Sequence, residues 1–150
     1  EAARWDLRIL ASDINAEALA RASAGVYRRD QTREISEAHL KRHFLRGVGT
    51  KSGLVQVRHH VRSIVTFRRI NLMGDWRIRT PFDAIFCRNV LIYFDRDDQK
   101  GFVRRFVPLL QEEGLLFLGH SENIHGWTAE LQSLGNTIHR RTPSALTKAA

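Results

Sequence analysis

One cysteine, one methionine and three prolines occur in 150 residues. A single thiol excludes an internal disulfide framework and fits a reducing compartment, so a cytoplasmic location is expected. No apolar run approaches the ~20 residues that a bilayer-spanning helix requires, so no membrane insertion is expected. Neither a G-x-G-x-x-G turn nor a G-x-x-x-x-G-K-[ST] loop is present, which counts against hydride transfer and nucleotide hydrolysis. His59 and His60 lack carboxylate or cysteine partners at ligand spacing, so no metal is expected. Acidic residues are the scarcer charge, 16 Asp and Glu against 24 Lys and Arg, for a net charge of +8. That excess suits an anionic partner, although the basic residues spread over the whole chain and suit a solvated surface equally well.

What remains is an alternation of strand and helix patterns. RILASDI (8–14) is a short apolar run ending in Ser-Asp, a strand. NAEALARASAGVY (15–27) has helical spacing, with Asp13 or Asn15 as cap and Gly25 as stop. SEAHLKRHFL (36–45) predicts a second helix capped by Ser36. Gly47, Gly49 and Gly53 then open a loop, LVQVRHHV (54–61) alternates, and IVTFRRINL (64–72) reads as a further strand. Residues 83–89 predict a buried strand, and Asp95 caps a helix running to about Leu110, loosened by Pro108. GLLFLG (114–119) is another buried strand. Residues 131–141 predict a hairpin on a Gly135-Asn136 turn, with a short helix over 128–134 as the alternative. The rhythm is α/β with a parallel sheet. Residues 47–63 stand outside it as an inserted antiparallel β-subdomain. The closing SALTKAA is expected to be a disordered tail, placed at 143–150.

In open parallel α/β sheets, ligands sit beyond the carboxyl ends of the strands. Those ends are Asp13, Asn71-Leu72, Arg88-Asn89 and His120-Ser121-Glu122. A carboxylate can accept from both hydroxyls of a ribose, and an Asn amide can both donate to and accept from an adenine edge. Tyr93 adds a ring and a hydroxyl. The rim suits a nucleoside cofactor. Each residue also has a plainer use: Asp13 as a helix cap, Asn71 as a turn former, Cys87 as a small buried hydrophobe, and His120 as a strand-end hydrogen bonder.

Taken together, LASDI (10–14), RGVGTKSGLVQV (46–57), INL (70–72), FDAIFCRNVLIYFD (82–95), RRFVPLL (104–110) and GLLFLGHSEN (114–123) form a specific set. The chain resembles the C-terminal domain of the chemotaxis receptor methyltransferases, the CheR family, over about residues 8–141. The resemblance implies a Rossmann-like class I methyltransferase sheet over 1–46 and 64–142, with the small antiparallel β-subdomain inserted at 47–63. It implies S-adenosylmethionine as cofactor, S-adenosylhomocysteine as product, and glutamates of methyl-accepting chemoreceptors as substrates. On this analogy Asp13, Asn71, Leu72, Arg88 and Asn89 touch the cofactor, and Tyr93 lies beside the transferred methyl.

The β-subdomain resembles one that in some members binds an acidic, aromatic receptor tail. Arg46, Gly47 and Gly49 match that pattern. Gln56 departs from it, since tail-binding members carry arginine there, and Arg58, two residues on, is its candidate substitute. Relative to the family, the first strand with its glycine turn and an N-terminal helical domain do not occur in these 150 residues. An upstream segment or a second chain is therefore expected to complete the sheet, or the sheet to be rearranged as in a swapped dimer, and these residues alone are expected to bind cofactor weakly and turn over little or not at all. Two rivals differ in class. A nucleic-acid methyltransferase usually carries Asn/Asp-Pro-Pro-aromatic where this chain has Cys-Arg-Asn-Val, so no nucleic acid is expected. A non-catalytic module binding a receptor or another protein through the β-subdomain is the second.

Overall fold

The computed structural model describes residues 5–120, 122, 124 and 126–143. Ser121 and Asn123 of the GHSEN string and the expected tail from residue 144 onward lie outside the described residues. The chain divides after Trp76 into two units.

The first unit opens with β1 (Ile9–Asp13) and α1 (Ala16–Ala24). Asn15 is the cap: its side chain accepts from the backbone N–H of Glu17 and Ala18, while Asp13 accepts from the N–H of Asn15 at 2.8 Å. The helix ends at Gly25, the stop expected for it. Gly25 takes the left-handed conformation (φ 62°) and its N–H bonds back to the Arg21 and Ala22 carbonyls. Val26–Arg28 is then free to pair as β2. α2 (Glu37–His43) is capped by Ser36, and Phe44–Arg46 leaves it as β3 rather than continuing the helix to Leu45.

Strand β4 (Leu54–Val57) lies antiparallel between β2 and β3. The alternation expected through residue 61 ends at Val57, because Gln56 is the last position opposite β2 and Val57 the last opposite β3. With no ladder left to join, His59–Arg62 closes into one helical turn, α3. The antiparallel sheet thus draws on residues from 26 to 57, starting well before the segment expected for it. β5 (Val65–Arg69) returns parallel to β1, in a register that pairs Asp13 with Arg69.

The second unit holds β6 (Phe82–Cys87), α4 (Arg96–Phe106), β7 (Leu110–Leu118), β8 (Leu131–Gly135) and β9 (Ile138–Arg141). Its sheet order is β6-β7-β9-β8, with β6 and β7 parallel and the others antiparallel. The first unit holds the parallel pair β1-β5 and the second the parallel pair β6-β7. Asp95 caps α4 by accepting from the N–H groups of Asp97 and Asp98. Phe102, Val103 and Phe106 face inward at helical spacing and are buried; each contributes about 1.5–3 kcal/mol by leaving water. The helix predicted to reach Leu110 gives way at Val107–Leu109 to a 3-10 turn, where Pro108 has no N–H to offer. The C-terminal hairpin forms as expected, but its two-residue turn is Asn136-Thr137, both at positive φ (50° and 65°), with Gly135 paired to Ile138.

Candidate functional site

The parallel register of β1 and β5 brings Asp13 and Asn71 to the same carboxyl end of their sheet. Both side chains are also used locally. Asp13 accepts from the Asn15 N–H, and Asn71 Oδ1 accepts from the Met73 N–H at 3.0 Å, an Asx turn. The plainer uses are thus real, and they leave lone pairs on each group, since a carboxylate offers about four and an amide oxygen two. Leu72 contributes its carbonyl to the indole N–H of the buried Trp76, which fixes the turn after β5.

In the second unit, Cys87 pairs with Leu118, so Arg88-Asn89 and Gly119-His120 emerge side by side from β6 and β7. The Arg88 guanidinium meets His120 Nε2 at 3.3 Å. Asn89 is left-handed (φ 56°), a conformation asparagine tolerates better than most residues. Leu91–Tyr93 makes a single 3-10 turn in which Leu91 is fully buried while Tyr93 is 80% exposed. The turn thus drives a leucine into the core and presents the tyrosine outward.

A buried carboxylate holds this loop. Glu122 is 4% exposed and accepts from the backbone N–H groups of Asn89, Val90, Leu91 and Ile92 and from that of Gly119. From the other side, Gln99 Nε2 donates to the carbonyls of Leu91 and Phe94. Neither role was read from the sequence. The available signal was an acid just past a strand end and an amide one turn into a helix. Cys87 lies beneath, its thiol pushed up to about 12 by burial and by the Glu122 charge, so it is a protonated core residue and no nucleophile.

The antiparallel sheet has a different surface. A groove of about 570 Å³ is lined by Arg29, Lys41, Arg46, Arg58, Leu40 and Leu54, among others. β3 is an edge strand and carries Arg46. Gly47 is obligatory: a Cβ there would lie 2.0 Å from the Lys51 carbonyl oxygen. Gly49 supplies a left-handed turn (φ 59°). Gln56 turns away to donate to the Ala24 carbonyl, and Arg58, beyond the end of β4, donates from Nε to the Phe44 carbonyl. The strand ends before Arg58, so its orientation is set by the start of α3 and not by strand alternation.

The family model for the CheR methyltransferase SAM-binding domain matches residues 1–139. The chain belongs to that family. One family model covers both units, including both strand-end rims. The chemotaxis protein methyltransferase of Salmonella typhimurium is 45% identical over 137 residues, covering 91% of this chain and 47% of that protein. The Escherichia coli protein of the same name is 44% identical over 137 residues, again 91% of this chain and 47% of that protein. Chemotaxis protein methyltransferase 2 of Pseudomonas aeruginosa is 43% identical over 134 residues, 89% of this chain and 48% of that protein. This CheR-family chain thus spans about half the length of the curated relatives it matches. No helix among its described residues is long and apolar enough to cross a membrane.

Proposed function

We propose that this chain is the cofactor-binding part of a methyltransferase that methylates glutamate side chains of chemoreceptors. The observation that carries the reading is the pair of strand-end rims, Asp13 with Asn71 and Arg88 with Asn89, in a chain of this family. The donor set fits S-adenosylmethionine. Carboxylate and amide groups suit ribose hydroxyls and an adenine edge, and no phosphate has to be cradled. Bound there, S-adenosylmethionine supplies a methyl on a sulfonium.

Asp13 would accept hydrogen bonds from the ribose hydroxyls. In the first unit Asn71 would present its amide with Leu72 alongside, and in the second unit Arg88 and Asn89 would supply a guanidinium and a further amide. Tyr93, already outward and exposed, orients the incoming carboxylate. A glutamate with a pKa near 4.3 is ionised at neutral pH and needs no base to make it a nucleophile. The residues therefore have only to align and desolvate it, which is proximity catalysis. The absence of any required base agrees with a thiol at Cys87 that stays protonated.

The edge strand β3 and the basic groove support a second surface, for an acidic receptor tail added as a further strand. Arg46 and Arg58 pair with its acids, and the Gly47–Gly49 loop shapes its end. Used without the first surface, this would make the chain a non-catalytic receptor-binding module.

Calorimetric titration with S-adenosylhomocysteine tests the main reading. Weak binding is expected, lowered about tenfold by Asp13→Ala or Arg88→Ala, the loss of one charge-assisted hydrogen bond. A folded chain that does not bind, or binding indifferent to both substitutions, would overturn it. Retention on an acidic tail peptide, lost in Arg46→Ala, tests the second surface.

A further inference from the structure

We propose that Glu122 is a positioning residue: its buried carboxylate sets the backbone of residues 89–92 and thereby aims Arg88, Asn89 and Tyr93. The inference rests on the assignment of those three residues to the methyl-transfer site. Glu122 Oε1 accepts from Val90, Leu91 and Ile92 at 3.0, 2.7 and 3.3 Å, and Oε2 from Asn89 at 3.3 Å and from Gly119. Five backbone donors on one carboxylate is far more than a helix cap uses.

The convergence follows from local geometry. A left-handed Asn89 followed by a right-handed Val90 (φ −118°, ψ −45°) turns successive N–H groups to one side, forming an anion-binding concavity. In this chain the anion is supplied internally. Gly119 makes room for it. A Cβ at that position would lie 2.7 Å from Asn89 Oδ1 and 2.8 Å from Glu122 Oε2. Gly119, Glu122 and Asn89 therefore act as one device, which Gln99 completes by gripping the Leu91 and Phe94 carbonyls.

The consequence is specific to the site. Tyr93 is 80% exposed, so packing does not fix it. Only its backbone can, and the clamp ends one residue before it. A preorganised loop loses less freedom when ligand binds, so loosening the clamp should lower affinity without removing any ligand contact.

The test compares this chain with its Glu122→Gln and Arg88→Ala variants. The readouts are amide hydrogen exchange and S-adenosylhomocysteine titration. Glu122→Gln is expected to speed exchange at residues 90–92 at least tenfold and to weaken binding about tenfold. Exchange in β7 and β9 should stay unchanged. Arg88→Ala is expected to weaken binding while exchange at 90–92 holds. Unchanged exchange in Glu122→Gln overturns the proposal, as does faster exchange with affinity within twofold of the parent. If the parent chain does not bind, the cofactor reading falls and exchange alone judges the clamp. Glu122→Asp keeps the charge and shortens the reach. Should Glu122→Gln unfold, Glu122→Asp decides: faster exchange at 90–92 supports the clamp and parent-like exchange overturns it.

Discussion

The two parallel strand pairs end in opposite ways. Beyond β1 and β5, side chains are held by near neighbours: Asp13 by the Asn15 N–H, Asn15 by Glu17 and Ala18, Asn71 by Met73. Beyond β6 and β7, the backbone is held by a carboxylate 30 to 33 positions along the chain. The units differ in the same sense. Among the described residues, the first buries three apolar side chains, Leu40, Val55 and Trp76, while the second buries a continuous set from Cys87 and Leu91 through Leu118 and Ile124. Local caps suffice where little is buried. Where the loop drives Leu91 into the core beside the buried Gly119, their N–H groups need a partner out of water, and Glu122 supplies it.

Four substitutions and one alkylation measurement probe this contrast. Glu122→Ala should have the largest effect, a loss of about 3 kcal/mol or more in urea denaturation, since it strips the partner from the buried Leu91 and Gly119 donors and from three part-buried ones at once. An effect under 1 kcal/mol would mean that the loop finds water as readily as the β1-β5 rim. Gly47→Ala should cost about 2 kcal/mol, because the added Cβ meets backbone and not a yielding side chain. Its signature is faster amide exchange confined to β3 and β4.

The helix caps come next. Asn15→Ala and Asp95→Ala should each cost about 1 kcal/mol in the same denaturation measurement. If Asp95→Ala costs much more, the second unit amplifies a local loss through its core, which sharpens the contrast. The smallest effect concerns pH. The folded Cys87 thiol lies at about 12 against an ordinary 9, so its neutral form is favoured by folding. Its contribution is complete below pH 9 and is lost as pH rises through about 12. Alkylation at pH 8 should be slow until the chain unfolds; rapid modification in the folded chain would mean that the core under Glu122 opens readily.

Much of the chain was legible from sequence because it depends on contacts within one turn. Asn15, Ser36 and Asp95 cap the helices expected of them, and residues 131–141 form a hairpin. The strand ends that define the rims also fall close to their expected places. Boundaries went astray where a distant partner decides them. Tyr27 joins a strand because β4 lies beside it, and residues 59–62 leave the strand pattern because β2 and β3 no longer flank them. Glu122 stood at an expected strand end, but its role was hidden for the same reason: nothing near it in sequence reveals which amides it meets.

The α/β class, the capped helices and the family follow from the sequence alone, through strings that set side-chain chemistry at each strand end. The folded path settled where strands stop and that a buried carboxylate holds the loop before Tyr93. The physical reason is range. Propensity and capping act over three or four residues, whereas ladder pairing and the satisfaction of buried donors depend on which distant segments the folded path brings together.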